Sequence, residues 1–311
     1  KTLYALNEFV LNLDYDIKIY LDELIIILLG YIQAPQFSRD VKYWALISMQ
    51  STILTAQKKI IPYKTQLLEV FHGIIVQQGA VEDVQTVKGQ TLMCAGRLAS
   101  SCGKEEFPKE AIEIFTKFAL ECLQSTGKYE LKETAMSYFS DLSVLLKEDM
   151  APVFDQVIDA ILKTMNQEDD YEKIGEKKND PTKGFSLDSD SEDADAYDGI
   201  NVDLNSVDEK AAAVNSLGII AIHAPKLMAG KRKEILESME KLHHYFHENV
   251  KFHVSKAYND IVLGMMRANG LLTEEDKFEW TAGSPAGCVL PVDVMQMLNQ
   301  IVFPYMYALF D

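Results

Sequence analysis

Apolar residues recur along most of this chain at the three- and four-residue intervals of a helix buried on one side. In "AIEIFTKFALECLQ" the residues Ile112, Phe115, Ala119 and Cys122 share a face, and in "VFDQVIDAILKTM" Phe154, Val157, Ile158, Ile161 and Met165 do the same. Sustained strand-type alternation is absent, so the pattern predicts an all-α fold. It also repeats. "VKYWAL" at Val41, "VKGQTL" at Val87 and "LKETAM" at Leu131 share an apolar-Lys-x-x-small-apolar core, with "EKAAAV" at Glu209 and "VKFHVS" at Val250 as looser copies. The steps between Lys42, Lys88, Lys132, Lys210 and Lys251 are 46, 44, 78 and 41 residues, and removing a 36-residue segment, 168–203, shortens the long step to 42. Lys1, 41 residues before Lys42, fits a sixth copy. A period in the low forties is that of a stacked two-helix repeat. Pro62, Pro108, Pro152 and Pro225 fall in register near the start of the second helix of each unit, where a missing N–H costs little. The expected architecture is an α-solenoid of antiparallel helix pairs. Residues 1–167 hold about four pairs, 168–203 form an insert, and 204–311 hold about two pairs with a loop near 270–291.

Composition narrows the partners. The 311 residues are 48% hydrophobic, enough for a large core, and the net charge is −17. That sign excludes a phosphate-neutralising nucleic-acid surface and favours basic partners. The longest apolar run, "LIIILLGYI" from Leu24 to Ile32, is less than half of the roughly 20 residues that span a bilayer, so it reads as a buried helix and no membrane is expected. Cys94, Cys102, Cys122 and Cys288 form no CxxC and read as reduced thiols. The opening "KTLYALNEFV" starts without Met in apparent mid-helix, which suggests a piece of a longer protein.

The insert is compositionally distinct, with 13 acids and 4 lysines between Glu168 and Asp203. Its stretch "SLDSDSEDADAYDG" carries Asp188, Asp190, Glu192, Asp193, Asp195 and Asp198 and no basic residue. Such a segment is either a solvated linker or an electrostatic lure that concentrates a Lys/Arg-rich partner, over a range screened to about 8 Å at physiological salt. It is not a calcium loop, because position six is Asp193 rather than Gly and position twelve is Gly199 rather than Glu. Ser189, followed by Asp190, Ser191 and Glu192, fits an acid-directed kinase site.

Catalytic and cofactor signatures are lacking. His243 and His247 have the i, i+4 spacing of metal ligands on a helix, but no third ligand accompanies them, and a structural role is expected. "GSPAG" at Gly283 lacks the G-x-S-x-G order, and neither a G-x-G-x-x-G nor a GK[ST] loop occurs. Trp44 lies in a core register, whereas Trp280 sits in the polar stretch "TEEDKFEWTAGSPAG". No enzyme activity, cofactor or metal is expected.

The helix pairs resemble HEAT repeats. In order, "VKGQTLMCAGRLASSCGKEEF", the acidic break with "DAYDGINV", "VDEKAAAVNSLG" and "LHHYFHENVKFHVSKAYNDIV" resemble the middle of an importin-β family nuclear transport receptor, most closely the importin four and importin five branch and its fungal counterpart. The resemblance runs from about Asp83 to Arg267. It implies a nuclear import receptor that shuttles between cytoplasm and nucleus with basic cargo, ribosomal proteins or histones. It also implies Ran GTPase contact through repeats outside this stretch, and nucleoporin contact. In that family the second helix of each pair lines the concave cargo surface, so Glu113, Asp155, Asp159, Glu234 and Glu237 become candidates for an acidic ladder beside the loop carboxylates. A HEAT scaffold that assembles a multi-protein enzyme or chromatin complex would show the same repeats.

Overall fold

The computed structural model describes residues 2–13, 16–77, 82–125, 129–168, 172–173, 200–201, 204–273 and 289–309. Thirteen α-helices occupy nearly all of them: α1 (Thr2–Leu11), α2 (Ile17–Gln33), α3 (Arg39–Ala56), α4 (Lys64–Ile75), α5 (Glu82–Cys102), α6 (Lys109–Leu123), α7 (Tyr129–Leu146), α8 (Ala151–Met165), α9 (Leu204–His223), α10 (Pro225–Glu240), α11 (Glu248–Ala268), α12 (Val292–Met297) and α13 (Phe303–Ala308). The fold is the α-solenoid that the periodicity predicts. Phe115, Ala119 and Cys122 of α6, and all five residues assigned to the inward face of α8, are buried. Each proline in the series stands at a helix start: Pro62 in the 3-10 turn before α4, Pro108 at the N-cap of α6, and Pro152 and Pro225 in the first turns of α8 and α10.

The five repeat lysines mark the odd-numbered helices α3, α5, α7, α9 and α11, and these form one layer. Each odd helix packs along its length against the next odd helix, whereas neighbouring even helices touch sparsely. Two layers with unequal spacing make a curved stack, and the tighter layer is the inner one. Small residues permit the tight spacing. Gly96 of α5 lies against Asp141 of α7, Gly218 of α9 against Ala257 and Asp260 of α11, and a Cβ on Gly264 would fall on the carbonyl of Ala221. Only glycine allows two helix backbones to meet at that last point.

Two of the repeat lysines explain their own recurrence. Lys88, 7% exposed, donates to the carbonyl of Gln77 just past the end of α4, and Lys210, 2% exposed, donates to the carbonyl of Gln167 past the end of α8 at 2.7 Å. Each ammonium also lies over an aromatic ring, Phe118 at 5.9 Å and Tyr245 at 5.1 Å. A buried ammonium is tolerated only when such partners replace water, and the terminal carbonyls of a helix need donors. The lysine motif is therefore a junction between an even helix and the odd helix that follows it.

That junction shifts the frame of the repeat by one helix. Even helices pack far more extensively on the following odd helix than on the preceding one, so the pairs are α2–α3, α4–α5, α6–α7, α8–α9 and α10–α11. The insert consequently lies inside the α8–α9 pair, and the division expected at 167 and 204 falls within a unit. At the insert's neck, Glu172 and Lys173 pair antiparallel with Asn201 and Ile200. The other short turns connect one pair to the next and are tied by ions: Lys64 to Glu106 at 3.0 Å, Lys104 to Asp149, and Glu148 accepting from the backbone N–H groups of Lys226 and Leu227 at the start of α10.

Two outcomes test this packing in chemical-denaturation experiments. Lys210→Met leaves the Gln167 carbonyl without its donor and should lower stability by about 1–2 kcal/mol, whereas Lys251→Met, which loses only an i, i+3 pair to Glu248, should change it by less than about 0.5 kcal/mol. Gln57, exposed and held at φ 47° where α3 ends, should tolerate glycine with a gain of roughly 1 kcal/mol.

Candidate charged surfaces of the solenoid

The structure separates two sets of carboxylates. The first contains the sequence candidates on the even helices, and all five of these are exposed. Asp159 of α8 and Glu234 and Glu237 of α10 come together in one groove of about 370 Å³. Asp155, also on α8, does not line it, and Glu113 of α6 borders a different, largely apolar groove between α6 and α8. The expectation that these helices line the concave surface is corrected by the layer geometry, which puts the widely spaced even helices outside. The outer carboxylates are also neutralised within the chain. Lys231 reaches Asp159 at 2.9 Å and Glu234 at 3.4 Å, and Lys233 lies 3.8 Å from Glu237.

The second set was not among the sequence candidates. Glu130 and Glu133 at the start of α7 face Asp208 and Glu209 near the start of α9, on the inner layer. Thr86 of α5 donates to Glu130 at 3.0 Å, and Glu209, 2% exposed, pairs with Lys132 at 3.1 Å and accepts from Thr164 at 3.2 Å. Burial, then the charges of Asp208, Glu209 and Glu130, push the Glu133 carboxyl up to about 7. The same field, after burial, raises the Tyr43 phenol. A carboxyl held that high among other carboxylates is a place where an incoming ammonium gains more than the usual surface ion pair. The signal was present in the repeat itself, because Glu130 and Asp208 both stand two residues before their repeat lysine.

Below the cluster the exposed stripe of the inner layer changes character. Met93 and Arg97 of α5, Ser137 and Val144 of α7, Asn215 and Ile219 of α9, and Phe252 of α11 reach solvent. Arg97 is held by Asp141, a nearly buried aspartate on α7 whose carboxyl is raised to about 6 by burial against the opposing pull of the guanidinium.

The remaining candidates resolve as follows. The six loop carboxylates and Ser189 lie outside the described residues, as do Cys288 and Trp280. Cys94, Cys102 and Cys122 are buried free thiols, and burial raises Cys102 to about 11. Trp44 is partly buried edge-on to Tyr4 and Tyr43. His243, His244 and His247 lie in the turn after α10 rather than on a helix, because three-residue backbone bonds such as Tyr245 N–H to Leu242 O close the chain there. His247 accepts from the Asn249 N–H as the N-cap of α11, a structural task. Among the described residues no group of three His, Cys, Asp or Glu side chains is placed to hold a metal, and no helix is long and apolar enough to cross a membrane.

No family model matches this chain, and no curated protein matches it. Solved structures do. The structure of Kap121p bound to Pho4p is similar over 86% of this chain and 25% of that one, at 21% identity and a TM-score of 0.64. The karyopherin Kap121p bound to the SUMO protease Ulp1p gives 22% identity and 0.64 over 86% and 24%, and Kap121p bound to Nup53p gives 20% coverage-matched neighbours' equal in kind, at 21% identity and 0.62 over 86% and 25%. The chain spans about a quarter of the length of these structures. At this identity the likeness shows the fold: a stretch of karyopherin-type HEAT solenoid.

The inner cluster carries a pH signature. Because the folded Glu133 pKa lies above its ordinary 4.5, the folded state binds the extra proton, and this group's contribution to stability is lost as pH rises from about 4.5 through about 7. Glu133→Gln should therefore stabilise the protein at pH 8, by about 1–2 kcal/mol after allowance for solvent screening, and the gain should vanish below pH 4.5. Thermal melts of both proteins across that range measure it.

Proposed function

We propose that this chain is a cargo-binding stretch of an importin-β family nuclear import receptor, of the importin four and importin five type, that works in cytoplasm and nucleus. Its cargo is a basic, lysine-rich segment of the kind found in ribosomal proteins and histones. It acts by binding, without catalysis or cofactor. The observation that carries the reading is the inner cluster of Glu130, Glu133, Asp208 and Glu209, paired by Lys132 and otherwise dominated by carboxylates. The insert rejoins the solenoid at α9, whose second turn supplies Asp208 and Glu209, so the loop acids Asp188, Asp190, Glu192, Asp193, Asp195 and Asp198 enter the chain beside that cluster. In this reading the loop attracts the cargo and the inner carboxylates hold it. The likeness to Kap121p structures that contain bound protein partners, one of them Nup53p, supports a receptor with cargo and nucleoporin partners. Ran contact is assigned to repeats outside this stretch, and phosphorylation of Ser189 would add about −1.5 to −2 charges to the lure.

Stopped-flow binding of a fluorescent lysine-rich peptide separates the parts. Glu130→Gln with Glu133→Gln and Asp208→Asn should accelerate dissociation tenfold or more, since charge-assisted hydrogen bonds contribute about 1.5–3 kcal/mol each. Neutralising the six loop acids should slow association and flatten its salt dependence. Neutralising Asp159, Glu234 and Glu237 should change neither rate appreciably. Parent-like binding by the inner and loop variants, with recovery of one stable enzyme complex from cell extract, would replace the receptor reading with the scaffold.

A further inference from the structure

Three elements meet at His243. Its Nε2 lies 2.6 Å from the hydroxyl of Tyr258 in α11, and its ring stacks on Tyr305 of α13 with centroids 4.3 Å apart and planes 26° from parallel. Tyr305, 3% exposed, donates its hydroxyl to the carbonyl of Lys251 at 3.2 Å. The final helical segment, Val292–Ala308, is otherwise lightly held. Val294, Met297 and Val302 pack inward and Asp293 pairs with Arg232 at 3.0 Å, while Val292 and Tyr307 are more than 70% exposed. A π-turn at Leu298–Val302 just before Pro304 interrupts its helix, further loosening it from within. A cavity of about 370 Å³ lined by Glu240, His244, Gln300 and Pro304 opens onto His243, so protons reach the ring from solvent.

We propose that His243 is a pH-sensitive latch: its neutral imidazole docks Val292–Ala308 on the end of the solenoid, and its protonation releases that segment. The neutral ring can accept the Tyr258 hydroxyl proton at Nε2. The imidazolium has no lone pair there, so the hydroxyl must turn away, and the new charge is half-buried among apolar side chains. Stacking on Tyr305 tolerates either state, so the hydrogen bond and the burial set the sign. The groups facing the latch are few. His244 on the same turn opposes a charge, and Glu240 at the end of α10 attracts one. From α11, Tyr258 stays a neutral phenol because burial raises it, while Lys251 and Glu248 pair with each other at 2.9 Å. From α13 comes Tyr305. Burial, then His244, lower the His243 pKa below its ordinary 6.5, which agrees with the geometry. A base with a lowered docked-state pKa contributes fully above its ordinary value, and the contribution is lost as pH falls through about 6.5. Docking is therefore firm in neutral solution and weakens on acidification, baring the end of α11.

Hydrogen exchange on the full chain, followed by mass spectrometry, tests the latch. After correction for intrinsic rates, amides of 292–308 should lose protection severalfold between pH 7.5 and 5.5 while those of α5 and α7 hold theirs. His243→Phe keeps the ring stack without a titrating nitrogen and should make protection of 292–308 independent of pH. If that variant undocks the segment at pH 7.5, His243→Gln, which can still accept from Tyr258, takes its place with the same expectation. Unchanged wild-type protection across the range, or an equal pH response in the variant that remains docked, would overturn the proposal.

Discussion

The close approach of successive lysine-bearing helices is the constraint on which the rest of the solenoid depends. It requires glycine where backbones meet, as at Gly264 over the Ala221 carbonyl, and small side chains along the seams. It also forces the lysine at each seam to find a protein partner, because water is excluded there. Lys88 and Lys210 solve this in the same way, each holding the last free carbonyls of the preceding even helix and covering an aromatic ring. One residue thus fixes the register of two consecutive helices. With the odd layer drawn together and the even layer splayed, the stack curves toward the odd helices, and the charges displayed on its two faces acquire different meanings.

On the outer face, helices standing apart leave room for long side chains to fold across the grooves, and Lys231 and Lys233 neutralise Asp159, Glu234 and Glu237. On the inner face the crowding of α7 and α9 brings Glu130, Glu133, Asp208 and Glu209 together with too little room for matching cations. Burial and mutual repulsion then hold Glu133 at about 7. The packing that stabilises the seam therefore concentrates uncompensated negative charge on the concave side, beside the point where the acidic insert leaves the pair α8–α9. An arrangement of this kind favours a mobile, basic partner over a rigid acidic one through ordinary electrostatics.

Much of the fold was legible in the sequence because each cue has a local cause. The 3.6-residue pattern located the helices, the prolines their starts, and the lysine spacing the repeat. The layer order was not legible from amphipathicity, which says which side of a helix is buried and leaves open which of two layers is inside. A physical cue did exist in the small residues of the lysine helices, Gly89, Ala95, Gly96 and Ala99 in α5 and Ala211, Ala213, Gly218 and Ala221 in α9, since only a tight seam needs them. Reading the short proline turns as hairpins within a pair put the frame one helix out, and the carboxylate ladder was sought on the wrong face in consequence. Glu133 needed the structure, because its shift depends on α9, 75 residues away along the chain at Asp208.

The central claim is that a basic segment lies on the inner, odd-numbered layer. Photo-crosslinking a lysine-rich peptide that carries benzophenone at successive positions, with the attached residues mapped by mass spectrometry, addresses it most directly. Attachment should fall on the exposed stripe of α7 and α9, around Glu130 to Ser137 and Asp208 to Ile219, and should be suppressed by high salt. Attachment concentrated in the α8–α10 groove around Asp159 and Glu237, or no preference over a peptide of scrambled charge, would contradict it.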